Sequence, residues 1–218
     1  HNCMKPAVNQ ASLAAHSHPI LLKDLRPSAL EVLQQLKQQG YAVYLVGGCV
    51  RDLLAGKIPK DFDLVTDARP EEIKASFRSC ILIGRRFRLA HVRIGRDILE
   101  VATFRGHHLN AAPEEAQSLN GLILRDNVYG TLEEDAWRRD FTINALYYDG
   151  EGSVVDYCGG LKDLKAKTVR IIGDAVQRYQ EDPVRMIRAI RIAAKLDFKL
   201  AAETQAPIQQ YAYLLHQV

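Results

Sequence analysis

The chain is poor in cysteine, and none of it is arranged for metal or redox chemistry. Its four cysteines are Cys3, Cys49, Cys80 and Cys158; no two form a C-x-x-C pair, and His107-His108 has no cysteine beside it. That spacing argues against a zinc site, and scattered thiols fit the reducing cytosol. Long apolar runs are missing too. Nothing approaches the roughly 20 residues that span a bilayer, so no membrane partner is expected. The N-terminus has no basic stretch followed by an apolar block and reads without a signal peptide. There is no G-x-x-x-x-G-K-[ST], which excludes a P-loop, and no internal repeat. Charge of one sign is scarce: 29 Lys and Arg face 26 Asp and Glu, for a net charge of +3.

What is present is a core-forming chain with an uneven charge distribution. Its 218 residues are 47% hydrophobic, enough for one large domain or somewhat more. Arg85, Arg86, Arg88, Arg93 and Arg96 fall together, and Arg178, Arg185, Arg188, Arg191, Lys195 and Lys199 form a second basic series. Such clusters can follow a phosphate backbone; the alternative is a solvated face. Residues 1–19 read as a flexible arm. Apolar spacing predicts a helix over 28–39, with Ser28 as N-cap and Gly40 as stop, and a buried strand over 41–46. A Gly47-Gly48 turn leads to a short helix over 50–54. A strand follows over 62–65, then a helix over 70–77 that starts on proline. Strands are predicted over 81–83, 90–94 and 98–104, a mobile loop over 107–127, a helix over 132–146, and strands over 154–156 and 169–172. From Asp174 onward the pattern is helical and basic. Met186, Ile190 and Ala194 share one helix side and are expected to face the core.

The residues that point to chemistry begin with Asp61 and Asp63. In a strand, positions i and i+2 share a face. Two carboxylates there repel unless a cation lies between them, and a pair of Mg²⁺ ions about 3.5–4 Å apart is the machinery of nucleotidyl transfer. Gly47 and Gly48 let phosphate oxygens approach backbone N–H groups, and Arg51 lies one turn further on, with Asp52 as its possible partner. Glu100 stands in an otherwise apolar run, Ile98-Leu99-Glu100-Val101-Ala102. A third metal-site acid, or a base toward a 3′-hydroxyl, would explain it; a water-facing glutamate is the alternative. Arg138 and Arg139, read as helical, diverge by about 100°. One is then expected on a triphosphate and the other on Asp140 or Glu134, with Asn144 on a ribose hydroxyl or its own backbone. Asp182, Arg185 and Arg188 recur every three residues on one helix side and could read the edge of a base. An N-cap and an ordinary surface ion pair account for the same spacing.

Taken in order, Gly47-Gly48-x-Val50-Arg51-Asp52, Lys60-Asp61-Phe62-Asp63, Arg138-Arg139-Asp140-Phe141-Thr142-Ile143-Asn144, Asp156-x-x-Gly159-Gly160 and Glu181-Asp182-x-x-Arg185 resemble the bacterial tRNA nucleotidyltransferase and poly(A) polymerase family. The resemblance covers residues 28–200. It implies an α+β fold: a polymerase-beta-like head with a mixed sheet and helices over 20–172, then the start of an all-helical neck over 173–218, with a C-terminal helical body beyond this chain. It implies metal ligation by Asp61 and Asp63 with Glu100 as third acid. Gly47, Gly48, Arg51, Arg138, Arg139, Asp140 and Asn144 would hold triphosphate and sugar, and Asp182, Arg185 and Arg188 the base. Two Mg²⁺ ions, ATP as substrate and an RNA 3′ end as partner follow, with Arg85, Arg86, Arg88 and Arg105 along the RNA. Gly84-Arg85-Arg86-Phe87-Arg88-Leu89-Ala90-His91-Val92 is similar to the poly(A) polymerase branch, where CCA-adding relatives more often carry a small Gly-Thr-like step after the Phe. The expected activity is template-independent adenylyl addition to RNA in the cytoplasm. The alternatives are a CCA-adding enzyme and a silent RNA-binding module.

Overall fold

The computed structural model describes residues 20–85, 88–106 and 129–217. The expected arm over 1–19, the expected loop over 107–127 and Arg86 lie outside the described residues. The chain builds a seven-stranded sheet in the order β3-β4-β5-β2-β1-β6-β7. Its strands are β1 (Val43–Val46), β2 (Asp63–Thr66), β3 (Cys80–Ile83), β4 (Leu89–Ile94), β5 (Asp97–Thr103), β6 (Leu146–Tyr148) and β7 (Val154–Asp156). The central β2 and β5 run parallel, and every other neighbouring pair is antiparallel.

The two faces differ. On the back, Leu45, Leu64, Val92, Leu99, Val101 and Tyr148 enter the main core. They pack with α1 (Pro27–Gln38), α2 (Gly48–Leu54) and α3 (Pro70–Ser76). α1 turns Ala29, Val32, Leu33 and Leu36 inward, the three-and-four spacing of one helix face. Each of the Val and Leu side chains stabilises the fold by about 1.5–3 kcal/mol on burial. On the front, Val46, Val65, Tyr147 and Val155 are covered by Ala136 and Ile172, with Tyr44 and Ala102 packed alongside. Among the described residues that cover reaches the β2-β1-β6-β7 half and the C-terminal end of β5. Across β5, β4 and β3 the same face leaves Ile81 67%, Ile83 45% and Ile98 63% exposed.

Several expectations need correction. Ser28 is not the cap of α1: Pro27 occupies the first turn, and the buried Ser28 hydroxyl donates to Asp97 Oδ2 at 2.7 Å. The run over 132–146 is not one helix. α4 (Leu132–Trp137), capped by Thr131, stops after one and a half turns, a 3₁₀ turn spans Thr142–Asn144, and the chain then enters β6. The cause is tertiary, because Thr142 N donates to Arg170 O and β6 pairs with β1. Beyond residue 173, α6 (Ala175–Glu181), α7 (Val184–Leu196) and α8 (Ala202–Tyr211) are joined by a short strand, β9 (Lys199–Leu200), which pairs in parallel with β8 (Thr168–Val169). That segment is therefore helical apart from β9. α7 buries Met186, Ala189 and Ala193, while Ile190 is 50% exposed and Ala194 also faces solvent. Tyr179 and Met186 join the main core, so these helices share apolar packing with the sheet.

The turn into α5 (Gly160–Lys165) fixes this junction. One carboxylate, Asp156, accepts backbone N–H bonds from Cys158, Gly159, Gly160 and Leu161. A Cβ on Gly160 would fall inside contact distance of the Thr142 carbonyl. Gly160→Ala is expected to destabilise by about 1–3 kcal/mol, lowering the melting temperature by about 4–10 °C in thermal unfolding.

Candidate active site

The acids form a line across the centre of the front face. Strand register places Asp63 opposite Glu100, Glu100 opposite His91, and His91 opposite Ile81. Directly opposed residues share a face. Phe62 is buried and Asp61 and Asp63 on either side of it are exposed, but β2 starts at Asp63, so Asp61 lies just before the strand and not on it as expected. Asp63 keeps open surface. Even so, crowding strips enough water from its carboxyl to raise it to about 6, and the charges of Glu100 and Asp61 push the same way against a weaker pull from Arg139. The three predicted acids and one predicted arginine therefore act on one another. His91 Nε2 lies 3.5 Å from Glu100 Oε1, a neighbour that the sequence reading did not single out.

The glycine turn sits beside them. Val46 pairs with Asp63, and Gly47 follows it at φ +80°, a backbone state that favours glycine. Arg51 is buried in α2. Its Nε lies 3.2 Å from Asp52 Oδ1, the expected pair, and its Nη1 donates to Asn144 Oδ1 at 2.8 Å. Asn144 therefore positions Arg51, where a sugar or its own backbone was expected.

The arginine pair is organised by a residue the motif reading missed. Asp135 is wholly buried and takes both guanidiniums: Arg138 Nη2 at 3.0 Å on Oδ1, Arg139 Nη2 at 3.1 Å and Nε at 3.2 Å on Oδ2. Tyr147 Oη and Arg105 N also donate to it, at 2.6 and 3.0 Å. The expected pairing with Asp140 or Glu134 is not formed. Asp140 accepts from Phe141 N, and Glu134 completes the Thr131 cap. Arg138 and Arg139 therefore converge instead of diverging. Burial pushes the Asp135 carboxyl up, but Arg139 and Arg138 outweigh it and hold it below the ordinary range. Burial lowers Arg138, whereas at Arg139 burial is outweighed by Asp135 and Tyr147 together, which raise it. The two partners disagree because Arg139 makes two bonds to the carboxylate, and Arg138 makes one and keeps a buried Nε without an acceptor. The available signal was spacing, since Asp135 stands three and four residues before the arginines.

The C-terminal helices bring further arginines to this turn. Arg178 on α6 donates to the carbonyls of Arg138 and Arg139. Asp182 ends α6 and pairs with Arg188 at 2.9 Å, while Arg185 bonds Arg178 O and lies 3.5 Å from Glu181. The expected Asp182–Arg185 pair at i,i+3 is thus replaced by one at i,i+6. The Nε atoms of Arg178 and Arg185, like that of Arg138, are buried without a partner.

Of the arginines expected along RNA, Arg85 is exposed and Arg88 pairs with Glu71 at 2.8 Å. Arg105 is partly buried and bridges to Tyr129. Among the described residues no group of three or more His, Cys, Asp or Glu side chains is gathered to hold a metal. The expected third acid, Glu100, is therefore not gathered with Asp61 and Asp63 into one ligand set; Mg²⁺ in its usual enzymic setting needs only one or two carboxylates and shares them with water and substrate phosphates. The described cysteines are free, and burial pushes the Cys49 and Cys158 thiols up to about 12. No described helix is long and apolar enough to cross a membrane.

The Poly A polymerase head domain matches residues 43–170. The chain belongs to the poly(A) polymerase head-domain family. This head is 56% identical over 200 residues to Poly(A) polymerase I of Haemophilus influenzae, covering 90% of the chain and 44% of that enzyme. The solved CCA-adding enzyme of Bacillus stearothermophilus in complex with CTP aligns at a TM-score of 0.77 and 36% identity, over 89% of this chain and 46% of that one. A tRNA nucleotidyltransferase complexed with a primer tRNA and an incoming ATP analog aligns at 0.66 and 34%, over 86% and 52%. The chain thus spans about half the length of these relatives. Of the relatives named, the poly(A) polymerase is more similar in sequence than the CCA-adding enzyme, and the sheet is that of the nucleotidyltransferase family.

Two measurements test the site's electrostatics. A carboxyl raised on folding contributes stability that is fully present below its unfolded value near 4 and is lost as pH rises through about 6. Without divalent cations, Asp63→Asn should therefore melt no lower than wild type at pH 7, and the advantage should vanish by about pH 4. Asp135→Asn strands two buried guanidiniums and should cost about 3–5 kcal/mol in urea unfolding, against about 1.5–3 for Tyr147→Phe, which removes one bond to the charge.

Proposed function

We propose that the protein is a template-independent polynucleotide adenylyltransferase that adds AMP from ATP to RNA 3′ ends. The observation that carries the reading is the 56% identity to Poly(A) polymerase I, set against 36% to the solved CCA-adding enzyme. The acid line and the arginine cluster beside it give the reading its chemistry. In this reading residues 20–172 form the head and residues from 173 begin a helical neck.

Two Mg²⁺ ions held by Asp61 and Asp63 would supply activation of the 3′-hydroxyl and neutralisation of the leaving pyrophosphate. The residues of the chain do the positioning. Arg138 and Arg139 hold the triphosphate, and the Gly47-Gly48 backbone lies against it. The RNA 3′ oxygen bonds to the α-phosphorus, the α–β bridging bond breaks in line, and pyrophosphate departs. Glu100 is placed to accept the hydroxyl proton. Arg185 and Asp182 select the base once Arg185 releases Arg178 and Glu181. The reaction takes place in the cytoplasm on cellular RNA.

CCA addition is the second reading, favoured by the fold match to an enzyme bound to CTP. The full-length protein with Mg²⁺ should lengthen both a generic RNA and a tRNA lacking its CCA end with ATP, and use CTP poorly. Addition of C, C and A to the tRNA followed by a stop would establish CCA addition instead. Asp61→Ala should lower turnover at least about a thousandfold with melting little changed; turnover near wild type would sink the metal assignment, and with it the enzyme reading in favour of a binding module.

A further inference from the structure

The front face has two halves, and the acids lie on their boundary. On the β1-β6 side stand the glycine turn, Arg51 with Asn144, and Arg138 and Arg139 on Asp135. Among the described residues, the groups expected to hold a triphosphate are on that side. On the other side, β5, β4 and β3 carry an open strip. Register and alternation put Ile81, His91 and Glu100 in one line on the front, with Arg93 and its opposite Ile98 two residues further along. Ile81 is 67% and Ile98 63% exposed. Arg93 is exposed, its Nε donates to Gly95 O, and no acid pairs with it among the described residues.

Phosphoryl displacement is in line, so the attacking oxygen enters opposite the leaving group. If the pyrophosphate departs toward the arginines, the attacking 3′-hydroxyl comes from the β5-β4-β3 side. We infer that this open half-sheet, through Ile81, His91, Arg93 and Ile98, seats the 3′-terminal nucleoside of the RNA strand being extended. The aliphatic side chains and the imidazole offer a surface for a base and sugar, and Arg93 offers a cation for the adjoining phosphate. His91, beside Glu100, marks where the sugar edge meets the acid line. The inference rests on nucleotidyl transfer with the triphosphate on the arginine side, and not on whether the nucleotide is ATP or CTP.

The test uses the full-length Asp61→Ala protein, so that no turnover is needed, with a short single-stranded RNA ending in a photoreactive 4-thiouridine. The crosslink is expected within residues 79–100. A crosslink on α7 or on the 138–144 turn, or none at all, overturns the inference whichever nucleotide the active enzyme adds. In the active protein, Ile81→Ser with Ile98→Ser, and separately Arg93→Gln, should raise KM for RNA about tenfold. KM for the nucleotide should stay within about twofold. Equal rises in both, or an unchanged KM for RNA, count against the seat. Loss of adenylyl preference with the crosslink intact would remove the proposed function and leave this inference standing.

Discussion

Like charge held on one side of a sheet is the constraint around which this head is built. Asp63 and Glu100 face each other across the only parallel strand pair in the seven-stranded sheet, with Asp61 close enough to act on Asp63. At contact distance, two carboxylates near a protein surface repel by about 4 kcal/mol. The acids do not relieve that by turning away, because their strands are pinned from behind. Phe62, Leu64, Leu99 and Val101 are buried on the other side of the same two segments. Back-face packing thus holds Asp63 and Glu100 on one face of neighbouring strands.

The compensating positive charge is itself held by buried acid. Asp135 converts two adjacent arginines into one convergent group near Asp63. The pairs at i,i+3 and i,i+4 are ones a helix also permits. Leaving the helix after Trp137 lets the chain enter β6, from which Tyr147 completes the shell. A helix continued through residue 146 would lose β6 and Tyr147 with it. The fold and the site therefore share one local decision.

That decision was the part least legible in the sequence. The strands over β1 to β5 and the helices α1 to α3 show in apolar spacing and in glycine and proline positions, and the acid pair shows in a bare Asp-x-Asp beside Gly-Gly. The stretch Leu132 to Leu146 contains no glycine or proline, so nothing local ends the helix. The ending comes from strand pairing with β1 and from Asp135, both long-range or buried effects. Leu146-Tyr147-Tyr148, aromatic and strand-prone, was the weak hint. On α7 the misreading was between two valid helical spacings. Met186, Ile190 and Ala194 and the observed Met186, Ala189 and Ala193 both fit a helix, and tertiary packing on the small alanines chose the second. Likewise, the partners of Arg185 and Arg188 depend on where α6 ends, which a three-residue spacing does not encode.

The C-terminal helices turn this into a connected electrostatic unit. Arg185 donates to the carbonyl of Arg178, Arg178 donates to the carbonyls of Arg138 and Arg139, and those two close on Asp135. Burial lowers Arg178, and neighbouring Arg185 lowers it further. Within this short path three Nε–H groups, on Arg138, Arg178 and Arg185, are buried with no acceptor among the described residues. A buried donor without a partner is costly, and here three lie among mutually repelling cations. An anionic, acceptor-rich ligand would relieve both penalties at once, and a triphosphate is such a ligand. The bonds that hold Arg185 are to a carbonyl and to a partly exposed glutamate. Arg178 thus ties the helices after residue 173 to the turn that carries Arg138 and Arg139.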